Sequence, residues 1–197
     1  NPRIITCTVT GFGETGPDNK RPAFDMVAQA TGGGMSITGT LDSGPTRAGI
    51  PIGDLGGGIM GCIGILAALH QRTVTGRGQH VDASMVDAQI SLLNYMATMF
   101  FLSGEIPYGI GNSHFVHVPY NSFRTKSQFI ILAIITDNFY RSLVELLDDP
   151  DLKKPEYDGQ PGRLKDKEFI EKRVQEHLEK ETCEYWCEKL REARIPH

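Results

Sequence analysis

The stretch PIGDLGGG, from Pro51 to Gly58, limits the fold of this chain more than any other feature of the sequence. The stretch AGIPIGD, which ends at Asp54, is a short apolar run typical of a buried strand. The residues after the glycines, IMGCIGILAALHQR, are long enough for a buried helix. Asp54 would then lie at the carboxyl end of a strand. In open α/β sheets ligands bind at that edge, and the glycines would let a ligand approach the backbone closely. The pattern predicts a strand and a helix with one carboxylate at their junction.

Two roles are open for Asp54 on the residues alone. A carboxylate at a ligand-binding edge can act as a covalent nucleophile. Aspartate is also a favoured residue at a helix N-cap, where its side chain accepts a hydrogen bond from the first turn. The local sequence does not decide between a nucleophile and a cap, and a cap is the commoner of the two.

Composition narrows the class of protein. The chain has 197 residues, of which 40% are hydrophobic, and we see no apolar run close to the ~20 residues that a membrane helix needs. Its formal net charge is −4 and its acids and bases are interspersed, so no basic stripe is available for a phosphate backbone. We expect a cytoplasmic protein with neither a nucleic-acid partner nor a membrane partner. We expect no signal peptide within these residues.

The charged residues divide the chain into two parts. Residues 1 to 107 hold 14 of them and the remaining 90 residues hold 30, whereas 18 of the 22 glycines lie in the first part. Strand-like and helix-like stretches alternate, which predicts an α/β fold with a parallel sheet: the strand candidates are RIITCTV, GQHVDASM and FIILAII, and the helix candidates are FDMVAQA, NFYRSLVELL and an amphipathic segment from Lys165 onward. The segment KKPEYDGQPGR, rich in Pro, Gly and charge, is expected to form an exposed loop. The shift in composition predicts a domain boundary near Pro107.

Other motifs carry weaker signals. GFGETG, from Gly11 to Gly16, has the spacing of a dinucleotide-binding loop, but Pro17 and the polar residues after it do not continue as a helix, so we interpret it as a turn. Cys183 and Cys187 could share one helical face, yet no nearby His or second Cys pair completes a zinc set. We expect no metal.

The segments RPAFDMVAQATGG, SITGTLDSGPTRAGIPIGDLGGG and GILAALHQRTVTGRGQHVDASMVDA, in this order, closely resemble class III CoA-transferases, the family of formyl-CoA transferase and carnitine CoA-transferase. The resemblance covers most of residues 1 to 135. It implies the later part of a large domain with a Rossmann-like open parallel sheet over 1–84, a linker helix over 85–107, and a smaller α/β or α+β domain over 108–197. It also implies an interlocked homodimer, and acyl-CoA and a small carboxylic acid as substrates, with no permanently bound cofactor.

The resemblance also implies roles for individual residues. Asp54 corresponds to the catalytic nucleophile of the family. Arg21, Phe24 and Asp25, in RPAFD, correspond to residues that line the site for coenzyme A. Gly109, Gly111 and Asn112, in YGIGN, match more loosely a glycine loop that covers the active site.

In this family CoA passes from an acyl-CoA donor to the acceptor acid through covalent aspartyl intermediates. The related α-methylacyl-CoA racemases instead pair the Asp with a His thirty positions earlier, and that position here is Phe24, which cannot exchange a proton. Transfer is therefore favoured over racemisation. A noncatalytic relative that binds acyl-CoA is the other alternative. The residues specify neither the donor nor the acceptor acid.

Family members are about twice this length, so the chain resembles the middle of a longer protein. The small domain would be incomplete at its C-terminal end. We therefore expect the 197 residues alone to be weakly active or inactive.

Overall fold

Two short strands, β1 (Thr6–Thr10) and β2 (His80–Ser84), pair in parallel in the computed structural model, which describes residues 1 to 197. Their register runs from Thr6 opposite His80 to Thr10 opposite Ser84. Parallel strands need a long crossover connection, and here it contains helices α1 (Asp25–Thr31) and α2 (Ile52–Thr75). Both strands lie in segments that the sequence predicts as strands. The parallel α/β fold is confirmed.

Small residues let α2 lie close to these strands. A side chain at Gly57 would meet Met85 and Val9, and one at Gly61 would meet Cys7 and Val9. Gly64, further along, faces Val81. Since the start of α2 faces the ends of β1 and β2 and its later turns face their beginnings, the helix N-terminus lies at the carboxyl edge of the sheet.

The opposite side of α2 is exposed and apolar in this chain. Its exposed side chains include Leu55, Ile59, Met60, Ile63, Leu66 and Val74. By length and composition α2 is apolar enough to cross a membrane, so the expectation that no segment approaches such a length is wrong. Glycines separate the large apolar residues of this segment in the sequence, but the helix continues through them. Their packing against β1 and β2 is that of a core helix in an α/β unit.

Two predicted elements differ from the structure. AGIPI forms no strand: Pro51 has no N–H for a strand ladder, and Ile52 donates its N–H back to the Ile50 carbonyl at 2.8 Å, in a turn that leads into α2. Residues 85 to 107 form two helices rather than one, α3 (Met85–Leu92) and α4 (Tyr95–Ser103), which meet at 71°. Asn94 adopts a positive φ of 50° between them and breaks the helix.

The elements described so far belong to a compact unit, Asn1–Gly111, and a second unit comprises Asn112–His197. In the second unit β3 (Tyr120–Arg124) and β4 (Phe129–Ala133) form an antiparallel hairpin. The helices that follow are α5 (Asp137–Leu147), a 3-10 helix (Pro155–Asp158), α6 (Gln160–Lys165), α7 (Lys167–Leu178) and α8 (Cys183–Glu192). The assignment of these units to domains of a larger protein stays a prediction.

The second unit has one contiguous core between the hairpin and the helices. Its buried members include Leu132, Ile134, Leu143, Ile170, Val174, Leu178, Trp186 and Leu190. The segment around PEYDGQPGR, which the sequence predicts as an exposed loop, instead forms the 3-10 helix and α6. Tyr157 and Arg163 from this segment are buried, because Arg163 donates to the Tyr157 carbonyl and to the Asp137 carboxylate and lies over the ring of Tyr140.

Candidate functional site

Asp54 lies in the first turn of α2, three residues after the N-cap Pro51. Its side chain is exposed, and its carboxylate forms no hydrogen bond or ion pair within the chain. Because α2 begins at the carboxyl edge of the parallel strands, Asp54 stands at the edge where open α/β sheets bind ligands. The sequence therefore predicts this edge correctly, although the preceding residues are a turn and not a strand.

Asp54 is not the cap of α2. The N-cap residue, Pro51, offers no side-chain acceptor, and the Gly53 N–H is instead accepted by Asp25 Oδ1 at 2.8 Å. Asp25 is 28 residues away in the sequence and belongs to the first turn of α1. An acceptor at this end of a helix satisfies a backbone donor that has no intrahelical partner. The carboxylate of Asp54 is thus left available for another role.

Gln29 completes this contact and was missed at the level of sequence. It is 1% exposed, its Nε2 donates to Asp25 Oδ2 at 2.8 Å, and its Oε1 accepts the Ala48 N–H at 2.8 Å. Asp25 and Gln29 are four positions apart on α1, a spacing that places two side chains on one helical face and could have suggested the pair. Together they fasten α1, the segment at Ala48 and the start of α2.

The other two residues predicted to line the CoA site lie just before α1. Phe24 is 83% exposed at the N-cap position of α1, next to Asp25. Arg21 is exposed, pairs with Asp18 at 3.5 Å, and places its guanidinium carbon 4.8 Å from the centre of the Phe12 ring. The segment that resembles the CoA-binding motif therefore presents one cation and one open aromatic face, and its Asp25 contacts the turn that carries Asp54.

The glycine loop has different neighbours. Gly111 donates its N–H to the Gly39 carbonyl at 2.6 Å, and a side chain at Gly109 would collide with the same backbone. Asn112 begins the second unit, where its amide donates to Ser122 Oγ at 2.9 Å. These contacts hold Gly109 and Gly111 against the loop of Gly39, and a role of the three residues at the active site stays a prediction.

GFGETG forms a turn, in keeping with the interpretation of its sequence. Gly13 has a positive φ of 82°, and the next N–H, of Glu14, donates to Asp82 Oδ2 at 2.8 Å. Glu14 also accepts a hydrogen bond from His80 at 2.6 Å, and hydrogen bonds from Thr8 and His80 lower the pKa of the Glu14 carboxyl. The loop folds back onto β2 and does not start a helix.

The chemistry available to Asp54 follows from its position. The partial positive charge at a helix N-terminus favours a negative charge in the first turn, so an unpaired carboxylate is stable there. An exposed carboxylate that no partner neutralises can attack a carbonyl carbon, and backbone N–H groups of the same turn can donate to an oxyanion. Fold and site together define an α/β protein that presents an exposed, unpaired carboxylate at the edge where such sheets bind ligands.

The family follows from comparison with known proteins. The model of "CoA-transferase family III" matches residues 1–197, and the chain belongs to this family. It is 36% identical over 200 residues to the succinyl-CoA:mesaconate CoA-transferase of Haloarcula marismortui, with all of this chain and 50% of that protein covered. It is 31% identical over 198 residues to the acetyl-CoA:oxalate CoA-transferase of Acetobacter aceti, again with all of this chain and 51% of that protein covered.

A solved structure supports the same fold. A CaiB/BaiF family protein from Brucella suis superposes with a TM-score of 0.85 at 29% identity, and the match covers 100% of this chain and 52% of that one. The chain thus spans about half the length of the relatives it matches. The resemblance to class III CoA-transferases that the sequence motifs indicate is confirmed.

Proposed function

We propose that this chain carries the nucleophile of a CoA-transferase that moves CoA from an acyl-CoA thioester to an acceptor carboxylic acid. One observation carries the assignment to Asp54. In a chain of CoA-transferase family III, the carboxylate at the carboxyl edge of the sheet is exposed and unpaired, because Asp25 takes the capping role that Asp54 would otherwise fill.

The reaction is a double displacement. The Asp54 carboxylate attacks the thioester carbonyl, which forms a mixed anhydride and expels CoA thiolate. The thiolate attacks the aspartyl carbonyl of the anhydride, which releases the donor acid and leaves an aspartyl-CoA thioester. The acceptor carboxylate attacks that thioester, a second anhydride forms, and the thiolate then attacks the acceptor's acyl carbon. The product is a new acyl-CoA, and Asp54 is regenerated as a carboxylate.

The surroundings of Asp54 suit these steps. Each tetrahedral species carries an oxyanion that backbone N–H groups at the start of α2 can stabilise. Arg21 and Phe24 line the CoA site in this proposal, where the exposed ring of Phe24 offers a face for packing and Arg21 a cation. Asp25 holds the turn beside them. Coenzyme A is a substrate here, and the reaction requires no metal or permanently bound cofactor.

Relatives suggest the class of acceptor. The acids in their names include mesaconate and oxalate, and also the glutarate of the human succinyl-CoA:glutarate CoA-transferase, 29% identical over 197 residues. All three are dicarboxylic acids. We propose a small dicarboxylic acid as acceptor, in a cytoplasmic homodimer without a membrane or nucleic-acid partner.

The test replaces Asp54 in the complete protein, of which these residues form a part. Asp54→Asn should lower CoA transfer by at least ~10³-fold, since removal of a covalent nucleophile costs that order or more. Asp87→Asn is a matched control: Asp87 is exposed, three residues after the N-cap Ser84 of α3, and in the same unit. Its replacement should leave the rate within about twofold, because nothing in the reaction uses it.

Hydroxylamine, added during turnover, should convert the aspartyl-CoA intermediate into a hydroxamate at Asp54, which peptide mass spectrometry can locate. A transfer rate that survives Asp54→Asn, or a hydroxamate at another acid, would contradict the assignment. Unchanged CoA binding with no turnover in the unmodified complete protein would identify a noncatalytic relative. Deuterium exchange at the α-carbon of a branched acyl-CoA without CoA transfer would identify a racemase.

Activity of the 197 residues by themselves is a separate proposal. Since they span about half of their relatives, we expect weak or no transfer from them alone. A rate equal to that of the complete protein would refute this.

A further inference from the structure

Cys183 and Cys187 form a pair of thiols on one face of α8, in the second unit. Their sulfur atoms are 3.9 Å apart, both cysteines are reduced, and both are partly buried. They lie on the wall of an open cleft of about 460 Å³ that solvent can enter. The other residues of this cleft are Gln128, Glu184, Glu188 and Arg191.

A disulfide does not suit this pair. Residues four apart on a helix have Cβ atoms about 5–6 Å apart, whereas a disulfide needs about 3.5–4.5 Å. Closing that gap would distort α8. The helix resists distortion because Trp186 and Leu190 are buried in the core and Trp186 Nε1 donates to the Leu178 carbonyl at 2.9 Å.

A bridge of one atom fits much better. Two bonds of about 2.3 Å, the usual length for a metal–thiolate bond, span about 3.5 Å between the sulfurs at the roughly 100° angle of a pyramidal trivalent centre. The observed separation is 3.9 Å, so a small rotation of the two side chains lets both sulfurs bind one atom without moving the backbone. A structural zinc ion would need four ligands, and the chain places no group of three His, Cys, Asp or Glu around a metal position.

We propose that Cys183 and Cys187 form a two-thiol binding site for a monosubstituted trivalent arsenical. Such a centre keeps its own organic substituent and takes only two sulfurs from the protein, the number that α8 offers. The binding step is a condensation: two S–H bonds and the arsenic–oxygen bonds break, two sulfur–arsenic bonds form, and both thiol protons leave with the oxygen as one water. Arsenic remains trivalent and no redox partner is needed.

The protonated state of the Cys183 thiol suits a condensation. Burial, together with the hydrogen bond to Cys187, raises the pKa of the Cys183 thiol, so this sulfur stays protonated at neutral pH. A protonated thiol reacts slowly with oxidants and alkylating agents, which need the thiolate. Condensation with an arsenical oxide consumes the protonated form.

The experiment uses the complete protein and phenylarsine oxide. Trypsin cleaves after Lys180 and Lys189, so both cysteines lie in one peptide, Glu181–Lys189, and its mass shows the adduct. We expect one arsenical on this peptide, retained in excess mercaptoethanol and removed by dithiothreitol, because only a dithiol competes with two sulfur–arsenic bonds. The folded protein should bind at least tenfold more tightly than the protein in urea, since α8 holds the sulfurs close to the required distance.

Single replacements separate a chelating pair from two ordinary thiols. Cys183→Ser and Cys187→Ser should each abolish the adduct that survives mercaptoethanol, whereas Cys7→Ser and Cys62→Ser should leave it unchanged. Loss of the wild-type adduct to mercaptoethanol, or its survival in either α8 variant, would overturn the proposal. So would equal affinity in the folded and urea-unfolded protein, or rapid formation of a Cys183–Cys187 disulfide with diamide.

Discussion

Asp25→Asn tests whether the start of α2 is held in place from α1. The carboxylate of Asp25 accepts two hydrogen bonds of 2.8 Å, one from the Gly53 N–H and one from Gln29 Nε2. Asparagine keeps an oxygen for Gly53 but turns its own NH₂ group towards the amide of Gln29, so that two donors face each other. Gln29 cannot simply flip, because its oxygen already accepts the Ala48 N–H.

The loss of local stability at the start of α2 can be calculated from these contacts. Replacing a charged acceptor by a neutral one weakens the Gly53 bond by about 0.5–1 kcal/mol. Loss of the bond to Asp25 leaves the buried Gln29 amide with only its long 3.5 Å contact to the Ile50 carbonyl, at a cost of about 1–2 kcal/mol. We expect about 2 kcal/mol in total. Backbone amides in the first turn of α2 should then exchange their hydrogens about 30-fold faster, since 1.4 kcal/mol corresponds to a factor of ten.

Hydrogen exchange with mass spectrometry measures this opening locally, in peptides around residues 49–57. Peptides of α7, in the other unit, serve as internal reference. Asp42→Asn is the control, because Asp42 is an exposed acid of the same unit whose carboxylate forms no hydrogen bond or ion pair. It should leave the exchange of α2 unchanged.

A double variant that exchanges the donor and acceptor roles of residues 25 and 29 tests the contact directly. When Asp25→Asn is combined with Gln29→Glu, the new amide at position 25 can donate its NH₂ to the new carboxylate at position 29, whose second oxygen accepts from Ala48. We expect this double variant to recover at least half of the loss, whereas Gln29→Glu alone sets two carboxylates against each other and is less stable than the wild type. If the two single effects simply add, or if Asp25→Asn changes exchange by less than about threefold, the contact does not hold α2.

Two further predictions concern packing and acid stability. Gly64→Ala should destabilise the first unit by about 1–3 kcal/mol, because its new methyl group would lie 2.5 Å from Val81 Cγ1. Gly58→Ala places its methyl group in open space and should stabilise the unit by up to about 1 kcal/mol. Thermal unfolding of the two variants and the wild type measures the difference. Burial alone would raise the pKa of Asp149, but hydrogen bonds from His177, the Asp151 N–H and Arg173 outweigh it and hold the pKa below its usual value. The stability from this charge is therefore present above about pH 4 and is lost as the pH falls through the lowered pKa. Asp149→Asn should lower the free energy of unfolding by about 2 kcal/mol at pH 7, a low figure because Arg173 is partly exposed. The difference from the wild type should shrink progressively below pH 4. Urea unfolding followed by Trp186 fluorescence measures it.

The sequence predicts the alternating elements well because their patterns are local. β1, β2, β4, α5 and α7 all occur where apolar periodicity places them. The sequence-based prediction fails where the structure depends on a distant contact or on an unusual backbone conformation. Nothing in the letters around Asn94 shows that this residue takes a positive φ and divides the predicted linker helix, and the burial of Arg163 depends on Asp137, 26 residues earlier.

The same distinction explains the ambiguity of Asp54. α3 is capped within its own sequence, since Ser84 Oγ accepts the Asp87 N–H at 3.1 Å. α2 has Pro51 at the corresponding position, which provides no acceptor, so the missing cap comes from Asp25 on another helix. The local sequence shows only one acid near a helix start, which is the pattern typical of a cap.

The distant cap has a consequence for the proposed chemistry. Phe24, which we place at the CoA site, is covalently next to Asp25, and Asp25 is hydrogen-bonded to the residue that precedes Asp54. A shift of the Phe24 segment on CoA binding therefore reaches the turn of the nucleophile through one peptide unit and one hydrogen bond of 2.8 Å. A local cap such as that of α3 would leave the two independent. Capping α2 from α1 thus both frees the Asp54 carboxylate and couples its position to the segment that we propose contacts the substrate.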